Sequence, residues 1–401
     1  MSFNKEIEEK IHQIAKLLSD RKVLSNNNLS VIGGNTGIAL FHFYYYKLFL
    51  KEENNTIAND IIADAFESIN NGFSFHTFAG GLAGIGWLVE FLEQNDFLET
   101  DTDEIIGELD DYLFEYLKQE FKNENYDYLH GAAGIALYFL KRKNSEKKER
   151  YLTEFVNLLD EMSIKGEDGI KWISEIMKGE TEKEKVYNVS MSHGIASLIS
   201  ILSKIYSQNI NKEKTKKLLE GAIKYLLSKE QNTNEYYSYF PSSVKISNQK
   251  PETSRLAWCY GDLGISVALW NASKALNNKE IENKSVEILS YTSKRRDLQK
   301  NMVNDAGLCH GTAGIAHIFN RMYINTKQEE FKKTADYWFE QTLKMDSHED
   351  SLSGYRSYRT EEYGGWIEEF TFLEGIAGIG LALISAISDI EPNWDEALLL
   401  S

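Results

Sequence analysis

The stretch GAAGIALYFL, residues 131–140, is one of seven similar motifs along the chain. Each motif begins with Gly-x-x-Gly, or in one case Gly-x-x-Ser, and continues into an apolar run. Successive motifs start 47, 50, 63, 67, 50 and 64 residues apart, and their first glycines are Gly34, Gly81, Gly131, Gly194, Gly261, Gly311 and Gly375. A unit that recurs at periods near 50 residues indicates a repeat architecture.

Charged stretches with helical spacing of apolar residues lie between the motifs, for example residues 105–118 and 216–227. Such stretches predict half-exposed helices, whereas the apolar runs after each Gly-x-x-Gly predict helices buried on most sides. We therefore predict an all-α fold, an α/α toroid that forms a double-layered barrel of seven inner and seven outer helices. The seventh run is as apolar as the others, which favours a closed ring over an open solenoid with polar caps.

The glycines at the start of each inner helix allow neighbouring backbones to approach closely. They are also expected to leave the first N–H groups of each helix free at the mouth of the ring. Residues 1–401 are predicted to form a single domain with two insertions. One insertion, at about 141–188, is strongly charged, and the other, at about 232–254, is predicted to be a loop.

The composition excludes several functions. The net charge of −17 argues against a nucleic-acid partner, because phosphate binding needs a basic surface. Two cysteines in 401 residues do not make a disulfide framework, so a reducing compartment is expected. No secretory signal is present at the start, and no run reaches about 18 apolar residues, so no transmembrane helix is predicted. These features predict a cytoplasmic protein.

Both cysteines occupy the same place in two neighbouring motifs. With the first glycine as position 0, Cys259 and Cys309 stand at position −2, and His310 stands at position −1. If the motifs are equivalent, two thiols and one imidazole meet at one mouth of the ring. Two Cys and one His predict a zinc site with an open fourth position, as in catalytic zinc sites. The alternatives are two inert buried thiols with a hydrogen-bonded histidine, and a redox disulfide.

Other functional candidates share this register. His193, at position −1 of the fourth motif, is the predicted general acid or base, and Asp127 could orient it or raise its pKa. Arg255 could balance a developing enolate charge, and Trp258 and Tyr260 could line the pocket. Each could instead be an ordinary structural residue. His130 and Glu374 also stand at position −1, without an assigned role. The remaining histidines are predicted to be surface or satisfied core residues, and they are His12, His42, His76, His317 and His348.

Three short sequences together resemble the stand-alone lanthipeptide cyclases of the LanC type. They are Trp258-Cys259-Tyr260-Gly261, Cys309-His310-Gly311 and Ser192-His193-Gly194. The resemblance covers essentially the whole chain, and it implies an α/α toroid and one Zn²⁺ per chain held by Cys259, Cys309 and His310. It also assigns the acid/base role to His193, assisted by Asp127, and a role to Arg255. One departure is Ser197, where a second glycine is expected.

The resemblance implies a reaction and partners. A cysteine of a dehydrated lanthipeptide precursor would add to dehydroalanine or dehydrobutyrine, forming lanthionine or methyllanthionine thioether rings in lantibiotic biosynthesis. The precursor, with its leader and core segments, would be the substrate. A lanthipeptide dehydratase and an ABC exporter would be the other partners, and their complex could hold the protein at the inner face of the membrane.

Three other functions stay open at this point. The first is a LanC-like zinc protein without cyclase activity, which handles glutathione or phosphopeptides. The second is a docking subunit of a peptide-modifying complex, in which zinc holds the mouth closed. The third is a ring-shaped α/α glycosidase, which needs two carboxylates about 5–10 Å apart. The register supplies only Glu374 for such a pair, so the glycosidase is disfavoured.

Overall fold

A computed structural model describes residues 3–20, 23, 28–178, 182–246, 252–360 and 364–401. Within these residues, each of the seven motifs leads into a helix, called here a motif helix. The motif helices are α2 (Asn35–Phe49), α4 (Leu82–Gln94), α6 (Ala132–Lys141), α8 (Ile195–Ser207), α11 (Asp262–Leu276), α13 (Thr312–Thr326) and α15 (Ile376–Ile387). Burial explains their composition, since every residue of α6 from Ala132 to Leu140 is buried.

Seven flanking helices in the described part of the chain carry the amphipathic pattern. They are α1 (Phe3–Leu18), α3 (Glu52–Asn70), α5 (Thr102–Lys122), α7 (Glu146–Met162), α9 (Lys212–Leu227), α12 (Lys279–Thr292) and α14 (Glu329–Lys344). In α5, for example, Ile106, Leu113 and Leu117 are buried at helical spacing, while the residues between them are mostly more exposed. This spacing places the apolar residues on one face, which packs against motif helices.

The chain divides into two compact units. The first comprises Met1–Phe75, Ala79–Gly81 and Arg295–Leu398. In it α15 packs between α2 and α13, while α3 packs on α2 and α14 packs on α13. The motif helix α15 has no flanking helix after it in the described residues. Instead α1, which precedes the first motif, packs on α15.

The second unit comprises His76–Phe78, Leu82–Lys294 and Leu399–Ser401. Its motif helices pack in chain order, α4 on α6, α6 on α8 and α8 on α11. The flanking helices α5, α7, α9 and α12 each pack on the motif helix that precedes them.

The two predicted insertions, both in the second unit, share one antiparallel sheet. The first contains α7, a two-stranded ribbon of β1 (Ile164–Gly166) and β2 (Gly169–Lys171), and the strands β3 (Ser174–Lys178) and β4 (Glu182–Asn188). The strand β5 (Ser243–Lys245) pairs with β4. The prediction of a loop at 232–254 is therefore wrong for α10 (Thr233–Tyr236) and β5, and residues 247–251 lie outside the described part. A strand of three residues has too little pattern to be seen without its partner β4.

A second small hairpin belongs to the first unit. It consists of β6 (Ser357–Tyr358) and β7 (Trp366–Ile367), which pair antiparallel. None of the helices in the described residues is long and apolar enough to cross a membrane.

A buried ionic cluster holds the C-terminal segment of the first unit. The carboxylate of Asp395, in a short 3-10 helix (Asn393–Leu398), accepts hydrogen bonds from Arg321 Nε and His317 Nε2, both at 2.8 Å. Burial would raise the pKa of Asp395, but Arg321 and His317 bring it below its usual range. Burial also lowers the pKa of His317, which favours a neutral imidazole that donates to Asp395.

We predict that Asp395→Ala lowers the free energy of unfolding by about 3–5 kcal/mol, because it leaves the buried Arg321 without its main counter-ion. Urea denaturation followed by circular dichroism would measure the change. Glu391→Ala is the matched control, since Glu391 contacts the same Arg321 but its side chain is 53% exposed. The control should cost less than about 1 kcal/mol. Equal losses in the two variants would contradict this account of the cluster.

Candidate functional site

The turn before each motif helix has a recurring hydrogen bond. In five motifs a side-chain oxygen at position −6 accepts a hydrogen bond from the backbone N–H at position −4, which lies two residues later. The pairs are Asn28 with Ser30 at 3.1 Å, Asn125 with Asp127 at 3.2 Å, Asn188 with Ser190 at 3.0 Å, Asp305 with Gly307 at 3.1 Å and Glu369 with Thr371 at 3.2 Å. The turn is therefore fixed by a local side-chain acceptor.

The same turns satisfy the first N–H groups of the motif helices. The N–H groups of Asn35, Ala132, Thr312 and Ile376 donate to the carbonyl oxygen of position −6, at 2.8, 3.2, 3.0 and 3.1 Å. The prediction that these groups are free is therefore wrong in four motifs. The backbone doubles back before the helix, and a glycine spacing alone does not reveal this. The first N–H is consequently not an anion-binding group there.

Gly261 shows why a glycine is needed at the first position of the fifth motif. Its φ is +119°, a conformation that L side chains rarely adopt. A Cβ there would lie 2.2 Å from the carbonyl oxygen of Arg255. The glycine therefore allows the close turn that carries Cys259 and Tyr260 into α11.

Backbone hydrogen bonds join the fourth and fifth motifs. The N–H groups of Met191 and Ser192 donate to the carbonyl oxygen of Cys259, at 3.0 and 3.3 Å. His193 follows directly, and its own N–H donates to Ser190 Oγ at 3.1 Å. The two turns are thus held side by side, and this fixes the His193 backbone relative to Cys259.

His193 and Asp127 form a hydrogen-bonded pair, with His193 Nδ1 2.7 Å from Asp127 Oδ2. The other oxygen of Asp127 accepts the backbone N–H of His130 at 2.7 Å. Burial would lower the pKa of His193, but the hydrogen bond and negative charge of Asp127, with a contribution from Cys259, raise it above its ordinary value of 6.5. Asp127 therefore shifts the protonation equilibrium of His193 toward the imidazolium form.

In the first unit, Cys309 and His310 are held by their own turn. The N–H of Cys309 donates to the carbonyl oxygen of Leu373 at 3.1 Å. The imidazole Nε2 of His310 lies 3.4 Å from Asp305 Oδ2. Burial would raise the pKa of Asp305, but His310 and two backbone N–H groups bring it below its usual range, so this carboxyl is ionised. Sequence reasoning missed Asp305, although position −6 recurs as an amide or acid in five motifs.

The three predicted metal ligands form a group that could hold a metal ion. The donor atoms of Cys259, Cys309 and His310 lie within 4.8 Å of one another. Cys259 is 4% exposed and Cys309 is partly exposed. Two thiols and one imidazole are a donor set that suits zinc, and three ligands leave a fourth position open.

The other predicted site residues differ in exposure. Arg255 is half-buried, and its guanidinium makes no hydrogen bond or ion pair with the described residues. The ring of Tyr260 lies 6.1 Å from the ring of His193, centroid to centroid. Trp258 is only 1% exposed, so it supports the turn from within the core. The His130 ring stacks on His193 at 6.0 Å.

The remaining candidates have structural contacts. Glu374 pairs with Arg359, with Oε2 3.1 Å from Nη2. The five histidines outside the register, predicted to be surface or satisfied core residues, each have a partner in the described part of the chain, although the buried Nε2 of His42 has no hydrogen-bond partner there. These partners are Tyr45 for His12, Asn54 for His42, Glu120 for His76, Asp395 for His317 and the Trp366 ring for His348.

Comparison with known proteins now assigns a family. A family model described as "Lanthionine synthetase C-like protein" matches residues 25–399. The chain belongs to this family. A curated relative, "Nisin biosynthesis protein NisC" from Lactococcus lactis subsp. lactis, is 27% identical over 345 residues, which cover 80% of this chain and 76% of the relative.

A solved structure titled "Nisin cyclase" shares the fold of this chain. Its TM-score is 0.77 at 20% sequence identity, over 99% of this chain and 98% of that chain. This likeness confirms the predicted α/α toroid.

We predict that Asp127→Asn lowers the pKa of His193. The substitution removes the negative charge that favours the imidazolium and leaves the burial that disfavours it. Titration of the ¹⁵N-labelled imidazole by NMR would measure the shift. Glu175→Gln removes a carboxylate from an exposed strand of the same unit and should leave the pKa of His193 unchanged. An unchanged or higher pKa in Asp127→Asn would show that Asp127 does not control His193.

Proposed function

We propose that this protein is a zinc-dependent lanthipeptide cyclase, and that residues 1–401 form one cyclase domain. The substrate is a precursor peptide that contains cysteines and dehydrated Ser or Thr residues. The product contains lanthionine or methyllanthionine rings. The observation that carries the proposal is the group of Cys259, Cys309 and His310, together with the hydrogen-bonded pair of His193 and Asp127. Membership of the lanthionine synthetase C-like family and the NisC relative support the same reaction.

Cys259, Cys309 and His310 are the proposed ligands of one zinc ion per chain. When bound, zinc would lower the pKa of a coordinating thiol, so that the thiol becomes a thiolate near neutral pH. The protein supplies three ligands, two thiols and one imidazole, and one of the thiols is buried while the other is partly exposed. A fourth position is left for the coordinating thiol. The chain itself supplies no further cysteine, so the thiol comes from the peptide.

His193 is the proposed source of the proton that completes the addition. When the peptide sulfur bonds to the β-carbon, the electron pair of the double bond moves toward the α-carbon and its carbonyl, giving an enolate. Protonation of the α-carbon then completes the ring, and the proton released by the peptide thiol restores His193, so no atom is lost or gained. His193 suits this role because its pKa is raised and Asp127 occupies Nδ1, which leaves the Nε2–H as the donor.

Arg255 and Tyr260 are proposed to stabilise and orient the enolate. The guanidinium of Arg255 has no partner among the described residues, so its charge is available to an anionic oxygen. The half-buried Tyr260 lies beside His193 and would line the peptide's path. Trp258 would act indirectly, since its indole is buried and it directly precedes Cys259 in the chain.

The proposed partners follow from the substrate. A lanthipeptide dehydratase must produce the dehydrated residues, and an ABC exporter would remove the finished peptide. We propose a cytoplasmic location, in a complex of these proteins at the inner face of the membrane. The net charge of −17 suits a basic precursor peptide.

We predict that the zinc-loaded protein consumes the thiols of a dehydrated, cysteine-containing peptide without changing the peptide's mass. A thiol reagent and mass spectrometry would follow the reaction. His193→Asn should slow it by about 10²- to 10⁴-fold, the range typical of a lost general acid.

The matched control is His12→Asn, which changes a histidine that packs on Tyr45 outside the motif register. This variant should react at the wild-type rate. If wild-type protein consumes no thiol from any such peptide, the cyclase proposal fails and the non-cyclase LanC-like or docking function is favoured.

A further inference from the structure

Asp305 stands out among the residues that fix the turns. It is 3% exposed, and its two oxygens have different partners. Oδ1 accepts the N–H of Gly307 at 3.1 Å, which is the recurring turn hydrogen bond. Oδ2 accepts the N–H of Tyr358 at 2.9 Å and lies 3.4 Å from His310 Nε2. The second oxygen therefore faces two groups, Tyr358 N–H and His310 Nε2, that take no part in the recurring turn hydrogen bond.

The turn itself does not require a charged residue. Asn28, Asn125 and Asn188 form the same hydrogen bond with one amide oxygen in the first, third and fourth motifs. Burying a carboxylate is costly unless it is fully hydrogen-bonded, so an aspartate where an amide suffices indicates a further role. The sixth motif is also the one in which Cys309 and His310 follow the turn.

We propose that Asp305 is a positioning residue that holds His310 with its proton on Nε2, so that Nδ1 is the nitrogen offered to the metal. The inference rests on the metal site of the proposed function and adds a residue to it. A carboxylate that accepts the second ring N–H of a metal-binding histidine fixes the tautomer and ring orientation and makes the ligand more basic.

The β6–β7 hairpin holds Asp305 in place. The N–H of Tyr358 lies in β6 and donates to Oδ2, while the N–H of Gly307 donates to Oδ1. With both oxygens engaged, the carboxylate plane cannot rotate freely. His310, five residues after Asp305 in the chain, therefore has an acceptor that is fixed in position.

The first test compares zinc affinities. Asp305→Asn keeps one oxygen for Gly307 but presents an NH₂ donor to the donors Tyr358 N–H and His310 Nε2–H. We expect zinc to bind roughly 10- to 100-fold more weakly, as measured by competition with a chromogenic chelator. Asn28→Ala is the matched control, because it removes the same turn hydrogen bond from a motif that has no cysteine or histidine at positions −2 and −1.

The control should bind zinc as the wild type does, even if its melting temperature falls. Zinc affinity of Asp305→Asn within twofold of the wild type would overturn the inference. The assay uses no peptide, so a protein that binds zinc but forms no rings would refute only the cyclase proposal. A wild type that binds no zinc would refute both.

The second test needs no substitution. ¹⁵N NMR of zinc-loaded wild-type protein, with the His310 signals assigned, should show a proton on Nε2 and none on Nδ1. A proton on Nδ1, with Nε2 bound to the metal, would overturn the inference even if Asp305→Asn failed to fold.

Discussion

The hydrogen bond from a position −6 side chain to the N–H of position −4 is the interaction on which the turns that carry Asp127, His193, Cys309 and His310 depend. It closes the turn before five of the seven motif helices and sets the direction in which each helix begins. Within each compact unit, neighbouring turns are then joined through backbone, as in the donation of Leu308 and Leu373 to the motifs beside them. Residues at positions −2 and −1 are therefore presented from rigid backbone rather than from free loops.

The candidate chemistry is built by changing few side chains in this turn. At position −4, Ser30 and Ser190 each accept the N–H of position −1, and Asp127 does the same with one oxygen. Its second oxygen is left for His193. At position −6, Asp305 replaces an amide and gains an oxygen that faces His310. In both cases a carboxylate makes the turn hydrogen bond that a serine or asparagine makes in other motifs. Its second oxygen adds a negative charge beside a histidine.

The sequence was sufficient for the repeat and the helix types, because glycine spacing and apolar periodicity report burial directly. Their shared position before the first glycine also singled out Cys259, Cys309 and His310, the group that could hold a metal ion. The sequence was insufficient where a partner lies far along the chain. The pairing of β5 with β4 and the packing of α1 on α15 depend on such contacts. Asp305 was missed because its function depends on a second oxygen, which only the positions of His310 and Tyr358 reveal.

The metal content of the purified protein tests the central claim most directly. After loading with zinc and extensive dialysis, the account predicts one zinc ion per chain in the wild type and in His193→Asn. It predicts little or none in Cys259→Ala and Cys309→Ala that remain folded. A wild type without bound zinc, or cysteine variants that retain a full equivalent, would contradict the assignment of Cys259, Cys309 and His310 as the ligands.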